Sequence, residues 1–181
     1  MRPVQQPIEP QLVITAPDPH ATRIAYEVSA RTTLGVLTTL IAQAQQALVL
    51  AAPFLQEREG LNRDPLDGAL IGALKRGVVV DLASTAAGLD LLDRDKLRAA
   101  ATGYIRFFQP SANYERPDRL GVHAKFCVAD ARHAYIGSAN FTKRGLSEHL
   151  EMGVLVHGTI AKQVVALWRY LVEKEFFIEV T

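Results

Sequence analysis

Three features of the 181-residue sequence predict a single α/β domain with a mixed β-sheet. Helical and strand patterns alternate through the first half, in the order helix–strand–helix–strand–helix–strand, which is the mark of a mostly parallel layer. Several β-type segments then follow one another closely before one last helix, so the sheet is mixed. The composition, 49% hydrophobic and 22% charged with 12 Gly and 9 Pro, is that of an ordinary globular chain. At about 150 residues per domain the length fits one unit that buries roughly 70% of its unfolded surface.

Residues 1–30 carry Pro3, Pro7, Pro10, Pro17 and Pro19 without lasting periodicity and read as an extended lead-in, with a short strand at Ile24–Val28. Thr32-Thr33 is an N-cap candidate, after which Leu34, Leu37, Leu40, Ile41, Ala44 and Ala47 recur at helical spacing. Leu48–Ala52 is a continuous apolar run ending at Pro53, the pattern of a buried parallel strand. After a polar loop over 56–65, Leu66, Ala69, Leu70, Ala73 and Leu74 form one helix face, stopped by Lys75-Arg76-Gly77. Val78–Leu82 is a second buried strand, 89–101 a third helix, and Tyr104–Phe108 a third strand. Beyond a loop over 110–120 come strands at Val122–Ala129, Ala134–Ser138 and Glu151–Val156, then a helix over 158–173 and a short strand or packed tail at Phe176-Phe177-Ile178.

Lys and Arg number 20 against 19 Asp and Glu, so no bulk charge announces a nucleic-acid or membrane partner. The lone Cys127 forms no intrachain disulfide and points to a reducing compartment; its place in a strand reads as core. The N-terminus lacks the apolar stretch of a signal peptide, and Gln43, Gln45 and Gln46 interrupt the best candidate for a membrane span. The expectation is a soluble, cytoplasmic protein with no membrane span.

The chemistry concentrates in two neighbouring segments. On a strand, residues two apart share a face, so His123 and Lys125 project together while Asp130 falls on the opposite parity beside a turn. A nucleophile beside a fixed cation suits attack on an anionic substrate. Ser138 and Asn140 share a face in the same way and add donors for anionic oxygens, with Gly137 allowing close approach. His133 and His149 read as surface or supporting residues, His157 as uninformative, and Trp168 as core. Lys143 and Arg144 are a helix-start pair or a phosphate contact. No convincing metal site is present, and no cofactor is expected.

The spacing His-x-Lys-x4-Asp-x6-Gly-Ser-x-Asn, from His123 to Asn140, resembles the signature of the phospholipase D superfamily at every defined position. The resemblance implies that residues 31–181 are a phospholipase-D-like catalytic domain, a mixed β-sheet flanked by helices. It implies that His123 is a nucleophile forming a phosphohistidine, that Lys125 and Asn140 bind phosphoryl oxygens, and that Ser138 supports the histidine or the phosphate. Asp130 is then structural, and Glu151, eleven residues after Asn140, is an acid that orients the catalytic histidine. The reaction uses two histidines and no metal, whereas this chain has a single His-x-Lys. A homodimer with the two motifs facing across a twofold axis is therefore expected.

Small single-copy members of the superfamily resemble its nuclease branch. Between residues 104 and 151 seven bases face five acids, a weak local excess for a polyanion, and Arg116 and Arg119 of the preceding loop join Lys143 and Arg144 as candidate substrate contacts. The run from Asn140 to Val156, with Arg31–Leu34 and Pro53–Leu55, resembles the phospholipase-D-like component of the DISARM anti-phage system, which implies work on foreign DNA, with a larger defence complex as a partner. The expected function is a metal-independent endonuclease for DNA or RNA. The alternatives are a phospholipid-cleaving enzyme, against which the chain shows no basic amphipathic helix or lipid anchor, and a non-catalytic nucleic-acid-binding subunit.

Overall fold

A computed structural model describes residues 9–17, 19–55, 60–62, 64–112 and 123–181. Among them nine strands form one mixed sheet, in the order β2-β1-β8-β7-β6-β3-β4-β5-β9. The strands are β1 (Gln11–Thr15), β2 (Arg31–Thr32), β3 (Ala47–Ala51), β4 (Val79–Ala83), β5 (Ile105–Pro110), β6 (Lys125–Ala129), β7 (His133–Gly137), β8 (Glu151–His157) and β9 (Phe177–Val180). The helices are α1 (Ala21–Glu27), α2 (Thr33–Gln43), α3 (Leu66–Lys75), α4 (Ala86–Asp90), α5 (Arg94–Ala100) and α6 (Thr159–Glu173), with a π-helical turn at Arg144–Glu148. This is the single α/β domain with a mixed sheet that the sequence predicts.

The centre, β3-β4-β5, is parallel and nearly all apolar because helices cover it on both sides. Leu48, Leu50, Val80, Leu82 and Phe107 face the α2, α3 and α5 side. Val49, Ala51, Ala83 and Phe108 face Trp168 of α6. The indole N–H of Trp168 donates to Asp81 at 2.8 Å, and Asp81 also pairs with Arg106, so this buried acid is satisfied twice over. β6, β7 and β8 then continue the sheet as antiparallel neighbours.

Two expectations need correction. The N-terminal region is not simply an extended lead-in: Gln11–Thr15 pairs antiparallel with β8, and Ala21–Glu27 is a helix where a strand was expected. β1 is a five-residue segment between prolines, and its pairing partner lies about 140 residues further on, so no local pattern announces it. The third helix is two, α4 and α5, because the Asp93 carboxylate accepts from the Lys96 amide at 3.0 Å and starts a new N-terminus.

At one end of the sheet His133 and His157 are cross-strand partners whose Nδ1 atoms lie 2.7 Å apart. Burial, then the charges of His133 and Arg31, lower the proton affinity of His157. The unfolded chain therefore binds that proton more readily, so this contribution to stability is full above about pH 6.5 and is lost as pH falls below it. The urea midpoint is expected to fall between pH 7.5 and 5.5, and to fall less in His157→Gln. Equal pH dependence in the two proteins would refute this.

Candidate active site

The chain brings its polar motif to the other end of the sheet, where β6 and β8 begin and β1, β3 and β7 end. His123 stands just before β6, with an exposed ring, and Lys125 is the first residue of the strand. The Lys125 side chain is largely buried, and its ammonium donates to the His123 carbonyl at 2.8 Å and lies 3.2 Å from His123 Nδ1. Burial makes its charged form less favourable, and the Glu151 carboxylate opposes that effect. The ammonium and the imidazole are thus held together at the start of a rigid strand.

Ser138 and Asn140 follow β7 directly. The Ser138 hydroxyl accepts from the Met152 amide at 3.1 Å and donates to Glu151, whose carboxylate opens β8. The second Glu151 oxygen lies 3.9 Å from His149 Nδ1. Glu151 thus engages Ser138 and His149 of its own chain rather than His123. Asn140 is gripped by the π-helical turn: a Cβ on Gly145 would overlap the Asn140 carbonyl oxygen and sit 2.8 Å from its nitrogen. Only glycine lets the turn approach so closely. The next residue, Phe141, donates its amide to Phe54 at 3.1 Å, which ties the loop to the segment after β3. The Asn140 amide oxygen is buried without a partner.

The other residues divide by position. Lys143 Nζ lies 3.7 Å from Glu148, and Arg144 starts the π-helical turn. Arg116, Arg119 and Gly121 lie outside the described residues. Asp130 is at the far end of β6, where its carboxylate accepts from the amides of Gln45, Gln46 and Ala47 at 2.8–3.0 Å. Burial pushes its proton affinity up, but those amides and Arg132 outweigh it and hold the carboxyl below the usual range. Cys127 is buried, and burial pushes its thiol far up, so it is no thiolate nucleophile. The close neighbour of Gly137 is the Tyr135 ring, which the sequence reading took no account of. Nor did that reading join His149 to Glu151, although two residues apart is the spacing that puts them within reach.

A cleft of about 650 Å³ lies elsewhere, lined by Gln46, Asp81, Arg106, Asp130, Trp168 and Arg169 among others. Its two well-placed acids are already occupied, Asp81 by Arg106 and Trp168 and Asp130 by backbone amides. The polar motif at the His123 end is therefore the candidate site. Among the described residues no three His, Cys, Asp or Glu side chains stand together as metal ligands. No described helix is long and apolar enough to cross a membrane.

An imidazole, an ammonium, a hydroxyl, a carboxylate and an amide thus meet on adjoining strand ends. The family model for the cardiolipin synthase, PLD-like domain matches residues 37–171, and the chain belongs to the phospholipase D superfamily. Phospholipase D Z of Dictyostelium discoideum is 29% identical over 127 residues, 64% of this chain, and the match spans only 29% of that relative. NucT from Helicobacter pylori superposes with a TM-score of 0.65 at 15% identity, over 92% of this chain and 98% of NucT. The phospholipase D family member Nuc from Salmonella typhimurium gives 0.60 at 19% identity, over 95% and 99%. Phosphatidylserine synthase of Haemophilus influenzae gives 0.65 at 13%, but over only 39% of its own length. At these identities the structures establish the shared fold.

Proposed function

We propose that this chain is a phosphodiesterase that cleaves DNA or RNA through a phosphohistidine, in a site completed by a second copy of itself. The observation that carries this reading is the Lys125 ammonium held 3.2 Å from the His123 ring beside the Ser138–Glu151 pair. A phosphoryl oxygen competes with the imidazole for that ammonium, and the Asn140 amide adds a further donor. Binding the substrate anion therefore frees His123 as it fixes the phosphorus.

The imidazole nitrogen Nε2 then attacks phosphorus, a P–N bond forms, and the P–O bond to the leaving group breaks. A second imidazole gives that oxygen its proton. Water attacks next, the P–N bond breaks, and the same second imidazole takes back a proton from the water. In this reading the second imidazole comes from the His-x-Lys motif of a second copy of the chain. The two rings share one neutral and one cationic state, so activity is bell-shaped in pH. No step needs a metal ion.

Nucleic acid is favoured over lipid on the likeness to Nuc and NucT. The chain matches Nuc and NucT over 98% or more of their lengths, but covers only 39% of phosphatidylserine synthase and 29% of phospholipase D Z. The narrower resemblance to a DISARM component supports foreign DNA as the target. Cleavage assays with plasmid DNA, single-stranded RNA and phosphatidylcholine vesicles, all in EDTA, test this. Nucleic acid is expected to be cut and vesicles to be left intact. Cleavage of lipid alone, or abolition by the chelator, would overturn the reading. Salt-dependent DNA retention without cleavage would make the chain a binding subunit.

A further inference from the structure

The rim of the site carries an aromatic ring that the proposed reaction does not use. Phe54, three residues beyond the end of β3, is 50% exposed, whereas the other six phenylalanines are buried or half-buried. Phenylalanine has no polar atom to offset its exposure, so a ring left in water forgoes the stabilisation that burial would bring.

The backbone beneath the ring is fixed. Ala52 and Leu55 are fully buried. The Pro53 carbonyl accepts from the hydroxyls of Ser84 at 2.9 Å and Thr85 at 3.0 Å, and a Cβ on Gly88 of α4 would stand 2.8 Å from that same oxygen. The Phe54 carbonyl accepts from the Phe141 amide at 3.1 Å, and the Leu55 carbonyl from the Leu61 amide at 2.9 Å. A segment pinned at three successive carbonyls presents this ring to solvent.

The sheet sets its place relative to the site. β8, β7, β6 and β3 lie side by side. At the site end they bring, in that order, Glu151, then Ser138 and Asn140, then His123 and Lys125, then Phe54. Ala51 pairs with Phe126 across the antiparallel β3 and β6, so Phe54 and His123 each lie three residues past that rung, on segments that leave it in the same direction. The Phe141 amide also ties Phe54 to the residue after Asn140. Adjacent strands are about 5 Å apart, a separation that a single nucleotide spans.

We infer that Phe54 is a stacking platform for an unpaired base next to the scissile phosphate, which makes single-stranded nucleic acid the preferred substrate. The inference rests on the proposed phosphodiesterase reading and narrows its substrate. Every base has a π-face, so such a ring binds without regard to sequence, while a base inside a duplex is already stacked on both sides. On the opposite flank, just before Glu151, the exposed residue is Leu150, which has no π-face. The stacking contact therefore falls on the β3 side.

Binding by fluorescence anisotropy in the His123→Ala background tests this, with an oligothymidine strand, the same strand in a duplex, and an abasic strand of equal length. Oligothymidine is expected to bind about tenfold more tightly than the abasic strand. Adding Phe54→Ala is expected to remove that difference and to leave abasic and duplex binding unchanged. Phe54→Trp is expected to hold or tighten thymidine binding. Phe54→Leu, which keeps an apolar side chain that would serve an acyl chain equally well, is expected to behave like Phe54→Ala. Thermal midpoint and mass by light scattering are expected to stay unchanged, because the ring is exposed. A folded Phe54→Ala or Phe54→Leu protein that binds oligothymidine at the parent's strength overturns the inference. So does a change of mass on substitution, which would make the ring a subunit contact. If the wild type cuts the thymidine strand and Phe54→Ala alters nothing, the inference alone falls. If the wild type neither binds nor cuts either strand, the nucleic-acid reading falls and takes the inference with it.

Discussion

His123→Ala is expected to lower phosphodiester cleavage by at least about 10⁴-fold while leaving the fold intact. The ring is exposed and precedes β6, so no core packing depends on it. In the proposed reaction it contributes the nucleophile, and without it the remaining donors have nothing to deliver the phosphorus to. Removing the nucleophile leaves only the background that binding and electrostatics supply. Lys125→Gln is expected to cost less, about 10²–10³-fold, because it removes one donor to the phosphoryl oxygens and leaves the attacking group in place. Both follow from initial rates on one substrate at one pH, with circular dichroism to confirm folding. A His123→Ala protein within tenfold of wild type would show that the chemistry lies elsewhere.

Asp130→Ala is expected to reverse that pattern, with a large loss of stability and little change in activity per folded molecule. Its carboxylate holds the amides of Gln45, Gln46 and Ala47 at the start of β3, at the end of the sheet away from His123. Asp130 also adopts φ 54°, a left-handed conformation that Asp tolerates better than Ala. Losing charge-assisted bonds to amides that water reaches in part, together with the backbone penalty, amounts to about 2–4 kcal/mol. Asp130→Asn keeps one acceptor oxygen and the tolerant backbone, so about half that loss is expected. The sign with pH is fixed by a carboxyl held below its ordinary value: its contribution is full above about pH 4 and is lost as pH falls through the folded value. Urea midpoints at pH 7 and pH 3 test this. The gap between wild type and Asp130→Ala is expected to narrow at the lower pH, and equal midpoints at pH 7 would rule the role out.

What the sequence made legible follows from how local each signal is. The central strands are continuous apolar runs, and α2, α3 and α6 are long enough to show a helical stripe, so each declares itself within a dozen residues. β6 and β7 are joined by a turn through Asp130 and Ala131, which kept their pairing local as well. β1 depends on a strand far along the chain, and α1 has no side-chain cap and no marked apolar face, so the prolines around them dominated the reading. The candidate site was legible where two-residue spacing carried it, as with His123 and Lys125 at the start of β6. It was not legible where three elements meet. Nothing near Tyr135 in the sequence says that its ring crosses Gly153 of β8, or that Thr33 of α2 lies beside its hydroxyl.

The stereochemical course at phosphorus tests the two-step displacement most directly. A nucleic-acid substrate with a chiral phosphorothioate at the scissile position, cleaved in isotopically labelled water, reports one inversion or two. Attack by His123 followed by attack by water inverts phosphorus twice, so net retention is expected. Net inversion would mean that water attacks directly and that no phosphohistidine lies on the path.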